Sequence, residues 1–548
     1  MRMLRNMCIA ALAMLLLPLL SAAQNPYLPM WEYIPDGEPY VFEDPDCPGS
    51  YRVYVYGSHD SLISEYCGRE QVVWSAPVED LGAWRYDGII FKSVLGADGR
   101  DLKPGGVGDV LYAPDVALRV LPDGKKEYYL YPNNQEWGRN GQVAVSDRPD
   151  GPFRVINWNK DNPVVCDGVL AFDPAVFVDD DGRVYGYWGF ESSNGAELDP
   201  QTMASVKPGT EIVRDMISSA KQPGEFRFFE ASSIRKIEDK YVFIYSRTTA
   251  EGEFGLPAVN YTLAYAYGDS PLGPFTYGGT LIDCRGRDVD DSGKPVCTAN
   301  PYGNTHGSIL EINGQWWVFY HRQTGTDEFS RQAMVSPITV KVQKGRGGKV
   351  EISEAEYTSE GFSVGGLNPL HKTPAGLACY LTNPKGIGQS YPNFIFTGSY
   401  VKPTRLDPAS CQGPFNQKQP FCPVVNNTSG SVVGYKYFNF DCFGGASRAE
   451  LVLTLKPEAG GRITVLAGGP KESRGGRVIA AFDVAAGGGW AGASASGSGV
   501  RVGDGLLRLT VPVTLPGLKG KQPLFFVFSS DAGDRSVCEL YDFQFFVK

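Results

Sequence analysis

The sequence predicts an all-β protein with more than one domain. Its 548 residues are 12% aromatic and include 66 glycines and 39 prolines, a composition typical of many short strands joined by turns. Five aromatic runs recur in the N-terminal part, with no long helical period between them. A chain of this length usually divides into two or three domains.

Each aromatic run predicts one strand of a repeated unit. The runs are RVYVYGSHD from Arg52, KEYYLYPNN from Lys126, RVYGYWGFE from Arg183, KYVFIYSRT from Lys240 and QWWVFYHRQ from Gln315, at intervals of 74, 57, 57 and 75 residues. A shorter apolar strand precedes each run, and in several units a turn sequence separates the two. Five such units predict a five-bladed β-propeller over residues 24–370, because a closed ring lets each blade bury both faces against its neighbours.

The residue that opens the first strand of each unit is the candidate functional position. Asp36, Asp173, Glu230 and His306 open this strand in four of the units. First strands line the axis of a propeller, so these side chains are expected to meet at one end of the channel. An Asp beside a turn is usually a capping residue, but an acid in the same register of three units indicates a shared pocket.

The C-terminal part follows a different pattern. After a connector predicted at residues 371–395, strands of period two alternate with glycine- and serine-rich turns over residues 396–548. Examples are GYKYFNF, AELVLTLKP, GRITVLAGG and LRLTVPVTL. This alternation predicts a β-sandwich of the jelly-roll type.

The first 23 residues predict a secretory signal peptide. Arg2 and Arg5 precede the apolar run IAALAMLLLPLL, which ends at the small residues of Ser21-Ala22-Ala23. The run is shorter than the roughly 20 residues of a membrane helix. We therefore expect export to the periplasm or the extracellular space and no membrane span. The remaining cysteines permit disulfides, whose pairing cannot be read from the sequence.

Composition narrows the function classes. A net charge of −10 leaves no basic surplus for nucleic acid, and four histidines without a CxxC pair argue against a zinc site. Three carboxylates in one pocket suit glycosidic bond cleavage, in which an acid protonates the leaving oxygen and a carboxylate activates water or attacks the sugar. A third negative charge beside the acid raises its pKa and keeps it protonated.

The N-terminal part resembles glycoside hydrolase family 43. The matching segments, in the family's order, are NPYLPMWEYIPDGEPYVF, RVYVYGSHD, LYAPDV, FDPAVFVDDDG, FFEASSIRK, GNTHGSI and YHR followed by SRQAMV. The resemblance implies an inverting enzyme on a five-bladed propeller, with no required cofactor, acting on arabinose- and xylose-containing polysaccharides. It implies that Asp36 is the general base, Glu230 the general acid, and Asp173 the residue that tunes and orients the acid.

Four further residues are candidates for binding. The resemblance implies that His306 lies near the channel axis, where it contacts substrate or holds a calcium ion through water. It also implies that Arg331 contacts sugar hydroxyls and the base. Trp188 is predicted to be an aromatic platform for a sugar ring. His59 lies at a strand end, where contact with substrate and bonding within the turn both remain open.

The two acid motifs depart from the family's pattern. Its Asp-Pro is replaced here by the segment DGEP from Asp36, which makes Glu38 a rival base, two residues on and on the same strand face. We favour Asp36, because aligning the following Val-Phe with the family's first strand puts Asp36 at the position of the family's general base. The acid motif, usually Glu-Gly-Pro, reads EAS from Glu230, which leaves the role of the acid intact.

The sequence therefore predicts an exported, inverting, exo-acting α-L-arabinofuranosidase that acts on plant cell-wall polysaccharide. β-Xylosidase, endo-arabinanase, and galactosidase or galactofuranosidase activities use the same three acids within the family, and loops over the pocket decide among them. A carbohydrate-binding propeller without turnover is the alternative from another class. The C-terminal sandwich resembles family 6 carbohydrate-binding modules, on GYKYFNF and on PLFFVFSS through ELYDFQFF.

Overall fold

The computed structural model of the chain describes residues 23–62, 66–386, 388–390, 393–395, 398–404, 422–486 and 498–547. Residues 1–22 of the predicted signal peptide lie outside this part. The helical elements of the described residues are short 3₁₀ turns: Pro104–Gly106, Glu253–Gly255, Ala375–Leu377, Phe440–Phe443 and Glu472–Arg474. Within these ranges no helix is long and apolar enough to cross a membrane.

The N-terminal part forms the predicted five-bladed β-propeller, and each blade is an antiparallel meander. Blade 1 consists of Glu38–Glu43, Tyr51–Tyr56, Gln71–Pro77 and Arg85–Phe91. Blade 2 consists of Asp115–Val120, Lys126–Tyr131, Ala144–Ser146 and Arg154–Val155. Blade 3 consists of Ala175–Val178, Val184–Trp188, Asn194–Leu198 and Val213–Arg214. Blade 4 consists of Phe228–Ile237, Lys240–Arg247, Thr262–Gly268 and Thr276–Asp283. Blade 5 consists of Ser308–Ile312, Gln315–Arg322 and Gln332–Ile338.

Each aromatic run of the sequence forms the second strand of its blade, and its alternation fills the spaces between blades. In blade 3, Val184 and Trp188 pack towards blade 2, whereas Tyr185 and Tyr187 pack towards blade 4. Each of the five spaces between neighbouring blades holds its own apolar cluster. Burial of one large apolar side chain contributes about 1.5–3 kcal/mol, so these clusters hold the ring together.

The N-terminal segment closes the ring. The Asn25 side chain accepts a hydrogen bond from the backbone N–H of Val335 at 2.9 Å and donates one to the Val335 carbonyl at 2.6 Å. It therefore pairs with the third strand of blade 5, the last strand of the repeat. First strands of neighbouring blades lie side by side around the axis, so the residues that open them converge, as the repeat predicts.

The C-terminal part is a sandwich of two antiparallel sheets around a separate apolar core. The first sheet contains, in spatial order, Tyr400–Val401, Val424–Val425, Cys538–Val547, Arg448–Pro457, Leu507–Thr514 and Ser498–Arg501. The second contains Tyr380–Thr382, Val432–Asn439, Lys521–Ser529, Gly461–Ala467 and Arg477–Val484. The all-β prediction of a propeller followed by a sandwich is confirmed.

Several short strands lie between or beside these sheets. Three hairpins are formed by Arg287–Val289 with Pro295–Cys297, Val340–Val342 with Val350–Ile352, and Gly388–Ser390 with Asn393–Ile395. Within the predicted connector, Thr373–Pro374 pairs with the last strand of the chain and Tyr380–Thr382 is an edge strand of the second sheet. All cysteines in the described part carry free thiols.

Candidate functional site

A pocket of about 570 Å³ opens at one end of the propeller axis. Two kinds of segment line it: the approaches to and beginnings of the first strands of the blades, and the loops between second and third strands. The first kind supplies Asp36, Tyr112, Ala113, Phe172, Asp173, Phe229, Glu230, Tyr302, Gly303, Asn304 and His306. The second kind supplies Tyr66, Cys67, Gln135, Phe190, Val259, Asn260, Glu328 and Arg331. All five blades therefore contribute to one site.

Asp36 is buried in this pocket and held by three neighbours. The Ser58 hydroxyl donates to its carboxylate, Arg331 Nη1 lies 3.3 Å from each of its oxygens, and His321 Nδ1 accepts from its backbone N–H at 3.1 Å. Burial alone would raise the Asp36 pKa, but the charges of Arg331 and His306 and the Ser58 hydrogen bond lower it below its ordinary value. Asp36 is therefore a carboxylate at working pH.

Arg331 is itself fixed by a second acid. Asp60 accepts from Arg331 Nε at 3.0 Å, from Nη2 at 2.8 Å and from the backbone N–H at 2.9 Å. The guanidinium lies over the Tyr66 ring, 4.7 Å from its centroid, and also contacts the Cys67 thiol. A planar guanidinium with a bidentate partner has little freedom, so Asp60 aims the remaining Nη1 at Asp36.

Glu230 lies in the same pocket with the opposite protonation preference. Register shifts on both sides of Glu230 interrupt its strand, and Ala231 has φ 66°, so the local backbone turns the carboxyl out of the regular pleat. Burial, followed by the charges of Asp173 and Asp36, raises its pKa well above the ordinary range. Asn304 Nδ2 lies 3.5 Å from its Oε1. Glu230 is therefore a protonated acid.

Asp173 stands beside Glu230 on the neighbouring blade. Its carboxylate accepts from the Ala231 backbone N–H at 3.1 Å and from Asn133 Nδ2 at 2.7 Å, and His306 Nδ1 lies 3.9 Å away. Burial raises the pKa of Asp173 to about 6 against the opposing charge of His306. Its hydrogen bond to the residue after Glu230 couples its position to that of the acid. Asp173 thus holds and tunes Glu230.

The structure separates the two rival bases. Glu38 does not line the pocket: it lies further along the channel, where Arg235 Nη2 donates to its Oε2 at 2.8 Å and His306 Nε2 lies 3.7 Å from its Oε1. Because Glu38 lies outside the pocket lining, a water beside it would not face a sugar bound in the pocket. The geometry therefore supports Asp36 rather than Glu38 as the base.

The surroundings of His306 bear on the predicted calcium. Both ring nitrogens of His306 and Oε1 of Glu38 are buried without a hydrogen-bond partner among the described residues. Bound water usually pairs with buried polar groups of this kind. Burial lowers the His306 pKa, but its acidic neighbours outweigh burial and raise it to about 9. Among the described residues no group of three His, Cys, Asp or Glu side chains is arranged to hold a metal directly. Calcium fits here only through water.

A chain of hydrogen bonds connects the base to the acid through blade 5. His321 Nδ1 accepts from the Asp36 N–H, and its Nε2 donates to the backbone carbonyl of Asn304 at 2.8 Å. The Asn304 side chain in turn reaches Glu230. Burial lowers the pKa of His321 to about 3, so the ring is neutral and keeps this tautomer. His321 and Asn304 therefore set the spacing between Asp36 and Glu230.

The aromatic platform differs from the predicted one. Trp188 lies in the apolar core between blades 2 and 3 and does not line the pocket. The physical reason is the pleat: Trp188 ends a strand whose alternate side chains fill that core. Two residues further, beyond the strand, Phe190 is 48% exposed at the pocket. Its ring lies 5.2 Å from that of Phe172 and 5.0 Å from that of Phe229, centroid to centroid.

His59 also lies outside the pocket lining. Its Nε2 is 3.0 Å from Glu32 Oε1 and its Nδ1 is 3.7 Å from Glu70 Oε1. Burial disfavours the charged ring, but the adjacent carboxylates outweigh burial and raise its pKa. The contacts of His59 are therefore with neighbouring carboxylates rather than with the pocket. The next residue, Asp60, is the one that contacts Arg331 of the site.

The loop 323–331 of blade 5 is held from outside by the sandwich. At its start, Arg322 Nη1 donates to the Ala378 carbonyl at 2.9 Å and Nη2 to the Gly376 carbonyl at 2.5 Å. The same guanidinium donates to Gln332 Oε1 from Nε and Nη2, at 3.0 and 2.8 Å. Arg322 and Gln332 flank the loop, so one buried guanidinium ties both of its ends to the C-terminal part.

A second contact reaches the middle of this loop. The Gly325 N–H donates to the Val401 carbonyl at 2.8 Å, and Tyr33 Oη donates to the Thr404 carbonyl at 3.0 Å. The loop carries Glu328 and Arg331 into the pocket. The sandwich is therefore part of the framework that positions active-site side chains.

Several functional residues escaped the sequence reasoning. Phe172, Phe190, Phe229, Asn304 and Glu328 line the pocket, whereas Asp60, Asn133 and His321 contact residues that line it. One signal was available: a phenylalanine directly precedes each of the acids Asp173 and Glu230, in the same register of the repeat. Of the others, His321 lies near the end of the strand Gln315–Arg322, and the rest lie on loops of unrelated length, where the repeat gives no alignment.

The arrangement suits acid–base cleavage with water as the nucleophile. It combines an ionised carboxylate, a protonated carboxyl group and a third acid that separates their pKa values in one buried pocket. Residues 49–343 match the family described as "Glycosyl hydrolases family 43".

Named relatives agree with this match. A "Xylosidase/arabinosidase" of Thermoclostridium stercorarium is 36% identical over 443 residues, covering 77% of this chain and 83% of its own length. A "Xylosidase/arabinosidase" of Bacteroides ovatus is 30% identical, covering 54% of this chain and 87% of its own. An "Arabinoxylan arabinofuranohydrolase" of Paenibacillus polymyxa is 29% identical, covering 53% of this chain and 44% of its own.

Proposed function

Because the chain belongs to glycosyl hydrolase family 43 and is a glycoside hydrolase, we propose that it is an exported, inverting, exo-acting α-L-arabinofuranosidase. The observation that carries the proposal is the pairing of Asp36, whose pKa is lowered, with Glu230, whose pKa is raised, in one pocket. The names of the relatives support arabinose- or xylose-containing plant polysaccharide as substrate.

The proposed reaction is a single displacement. Glu230 donates its proton to the glycosidic oxygen while the bond from that oxygen to the anomeric carbon breaks. A water molecule attacks the anomeric carbon from the opposite face and gives a proton to Asp36. One water is consumed, the leaving alcohol carries the proton of Glu230, and the sugar product has inverted configuration. Asp36 and Glu230 exchange their protonation states, and solvent restores them.

The pocket accounts for the exo preference in this proposal. Its volume of about 570 Å³ suits one or two sugar units. The buried residues His306 and Asp173 line it, together with the mutually packed aromatic rings of Phe172, Phe190 and Phe229. A terminal or branch sugar can enter such a pocket, whereas a chain that continues in both directions cannot.

The test is hydrolysis of a panel of 4-nitrophenyl glycosides: α-L-arabinofuranoside, β-D-xyloside, β-D-galactofuranoside and β-D-galactopyranoside. We expect the arabinofuranoside to be turned over by the parent protein and not by Glu230→Gln. Full activity of folded Glu230→Gln would refute the assignment of the acid. For the base, Asp36→Asn should lose far more turnover than Glu38→Gln, and proton NMR of the first product formed should show the inverted anomer.

β-Xylosidase activity is the second candidate, and the names of two relatives that combine both activities favour it. The same panel distinguishes the two through the ratio of kcat/KM on the arabinofuranoside and on the xyloside. Endo-arabinanase activity predicts no hydrolysis of the 4-nitrophenyl glycosides and hydrolysis of the polymer. A non-catalytic carbohydrate-binding propeller predicts binding without turnover of either.

Three further proposals concern the rest of the protein. Export to the periplasm or extracellular space follows from residues 1–23 and is tested by N-terminal sequencing of the mature protein. The resemblance of the sandwich to family 6 carbohydrate-binding modules is tested by its retention on insoluble polysaccharide. Calcium bound through water at His306 would be structural, since the reaction needs no cofactor. Chelation should then lower the melting temperature without lowering kcat.

A further inference from the structure

Two backbone segments determine the contacts of the base. The segment 32–36 ends at Asp36, and the segment 57–60 follows the second strand of blade 1. Ser58 of the second segment donates to the Asp36 carboxylate, and Asp60 of the same segment fixes the arginine that contacts this carboxylate. The contacts of the base therefore depend on how the two segments lie relative to each other.

The two segments meet backbone to backbone. The Asp60 N–H donates to the Tyr33 carbonyl at 3.0 Å. A Cβ atom at Gly57 would lie 2.3 Å from the Pro35 carbonyl oxygen, so a side chain at this position would force the segments apart. A backbone hydrogen bond contributes only about 0.5–1.5 kcal/mol. A side-chain contact between the same segments therefore adds substantially to their alignment.

Such a side-chain contact is formed by His59 and Glu32. His59 lies between Ser58 and Asp60, and its Nε2 is 3.0 Å from Oε1 of Glu32, the first residue of the other segment. Trp74 Nε1 donates to Glu32 Oε2 at 2.9 Å, so the carboxylate is also tied to the third strand of blade 1. The side chains of His59 and Glu32 are only 16% and 6% exposed, and solvent screens such a pair less than a surface pair.

The second carboxylate beside His59 does not join the segments. Glu70 Oε1 lies 3.7 Å from His59 Nδ1, and Lys92 Nζ lies 2.9 Å from Glu70 Oε2. Both Glu70 and Lys92 belong to other parts of blade 1. Burial disfavours the charged ring, but Glu32, Glu70 and Asp60 outweigh burial and raise the His59 pKa. The ring is therefore charged, and its bond to Glu32 is charge-assisted.

From these contacts we propose that His59 and Glu32 are positioning residues for the catalytic base: their ion pair holds the segment 57–60 against the segment 32–36. Held in this way, Ser58 and Arg331 keep their contacts with Asp36. Neither His59 nor Glu32 lines the pocket, so both act through other residues. The proposal rests on the proposed function, in which Asp36 accepts a proton from the attacking water.

The test separates turnover from stability. On the 4-nitrophenyl glycoside that the parent protein hydrolyses, His59→Leu should lower kcat at least about fivefold and change KM less than about twofold, since a displaced base impairs attack by water rather than binding. The acidic limb of kcat/KM should move to higher pH, because Ser58 and Arg331 lower the Asp36 pKa. His59→Gln keeps a hydrogen-bond donor for Glu32 and should restore most of kcat.

Glu70→Gln is the matched control. It alters the other carboxylate that faces His59 and leaves both segments unaltered, so kcat and the acidic limb should equal those of the parent. Glu32→Gln keeps the size of Glu32 and its acceptor for Trp74, and it should reproduce the loss of kcat even where His59→Leu does not fold. Combined with His59→Leu, it should cause no further loss, because each change breaks the same pair.

Three results would overturn the positioning role. The first is a lowered melting temperature in His59→Leu with unchanged kcat and an unchanged acidic limb, which would make the pair purely structural. The others are an equal loss of kcat in Glu70→Gln and additive losses in the double variant. Failure of the proposed function would appear elsewhere, as activity retained in Glu230→Gln.

Discussion

Replacement of Arg331 by methionine should move the acidic limb of the pH profile to higher pH. Asp36 must be ionised to accept a proton from water, and Arg331 Nη1 lies 3.3 Å from its carboxylate. At an effective dielectric constant of about 20, two unit charges this far apart interact by about 5 kcal/mol. Water entering the space of the lost guanidinium will screen part of this interaction, so we expect the Asp36 pKa to rise by less than the full interaction implies.

The assay is kcat/KM on a 4-nitrophenyl glycoside from about pH 3 to pH 9, since this parameter reports the groups of the free enzyme. Arg331→Lys keeps the charge and should shift the limb much less than Arg331→Met. Arg139→Met is the matched control, because Arg139 forms a comparable buried pair with Asp109 away from the reacting groups. An unshifted acidic limb in folded Arg331→Met would show that this guanidinium does not set the Asp36 pKa.

Three further outcomes are expected. Asp173→Asn removes a charge that raises the Glu230 pKa, so the basic limb should move to lower pH as the acid loses its proton earlier; an unmoved limb would contradict the tuning role. Arg322→Met should lower kcat on the small glycoside about tenfold, because the loop 323–331 loses its brace. Arg474→Met, at the periphery of the same domain contact, should not, and equal effects would contradict specific bracing. His321→Leu leaves two buried polar partners unsatisfied and should destabilise the protein by about 1–3 kcal/mol, measured by thermal unfolding. An unchanged melting temperature would mean that the hydrogen bonds of His321 to Asp36 and Asn304 do not contribute to the stability of the protein.

The fold could be predicted because the alternation of side chains within single strands and the packing of the whole ring require the same residues to be buried. Alternation within one strand specifies two opposite apolar faces, and only a ring of blades buries both faces of every unit. Val184 and Tyr185, adjacent in sequence, enter different interblade clusters for this reason. The shared position of the acids Asp36 and Asp173 in the pocket followed as well, since they occur at the same point of the repeat.

The supporting residues could not be predicted because nothing periodic identifies them. Asp60, His321 and Asn304 act through hydrogen bonds between blades, across 271, 285 and 74 residues of sequence separation. Trp188 is a residue that the sequence wrongly suggested for the site. Its residue type suggested sugar binding, but the direction of its side chain depends on where the strand ends, and the pleat directs it into the core.

By itself, the sequence determined the all-β class, the five units, the two-part organisation and the acids that meet at the axis, because these depend on composition and period. Only the tertiary structure showed that Asp36 lines the pocket and Glu38 does not, that Phe190 rather than Trp188 lies at the pocket, and that the sandwich contacts the loop of Glu328. These outcomes depend on which groups approach within a few ångströms after ring closure. Hydrogen bonding and charge act over such distances, and sequence spacing does not encode them.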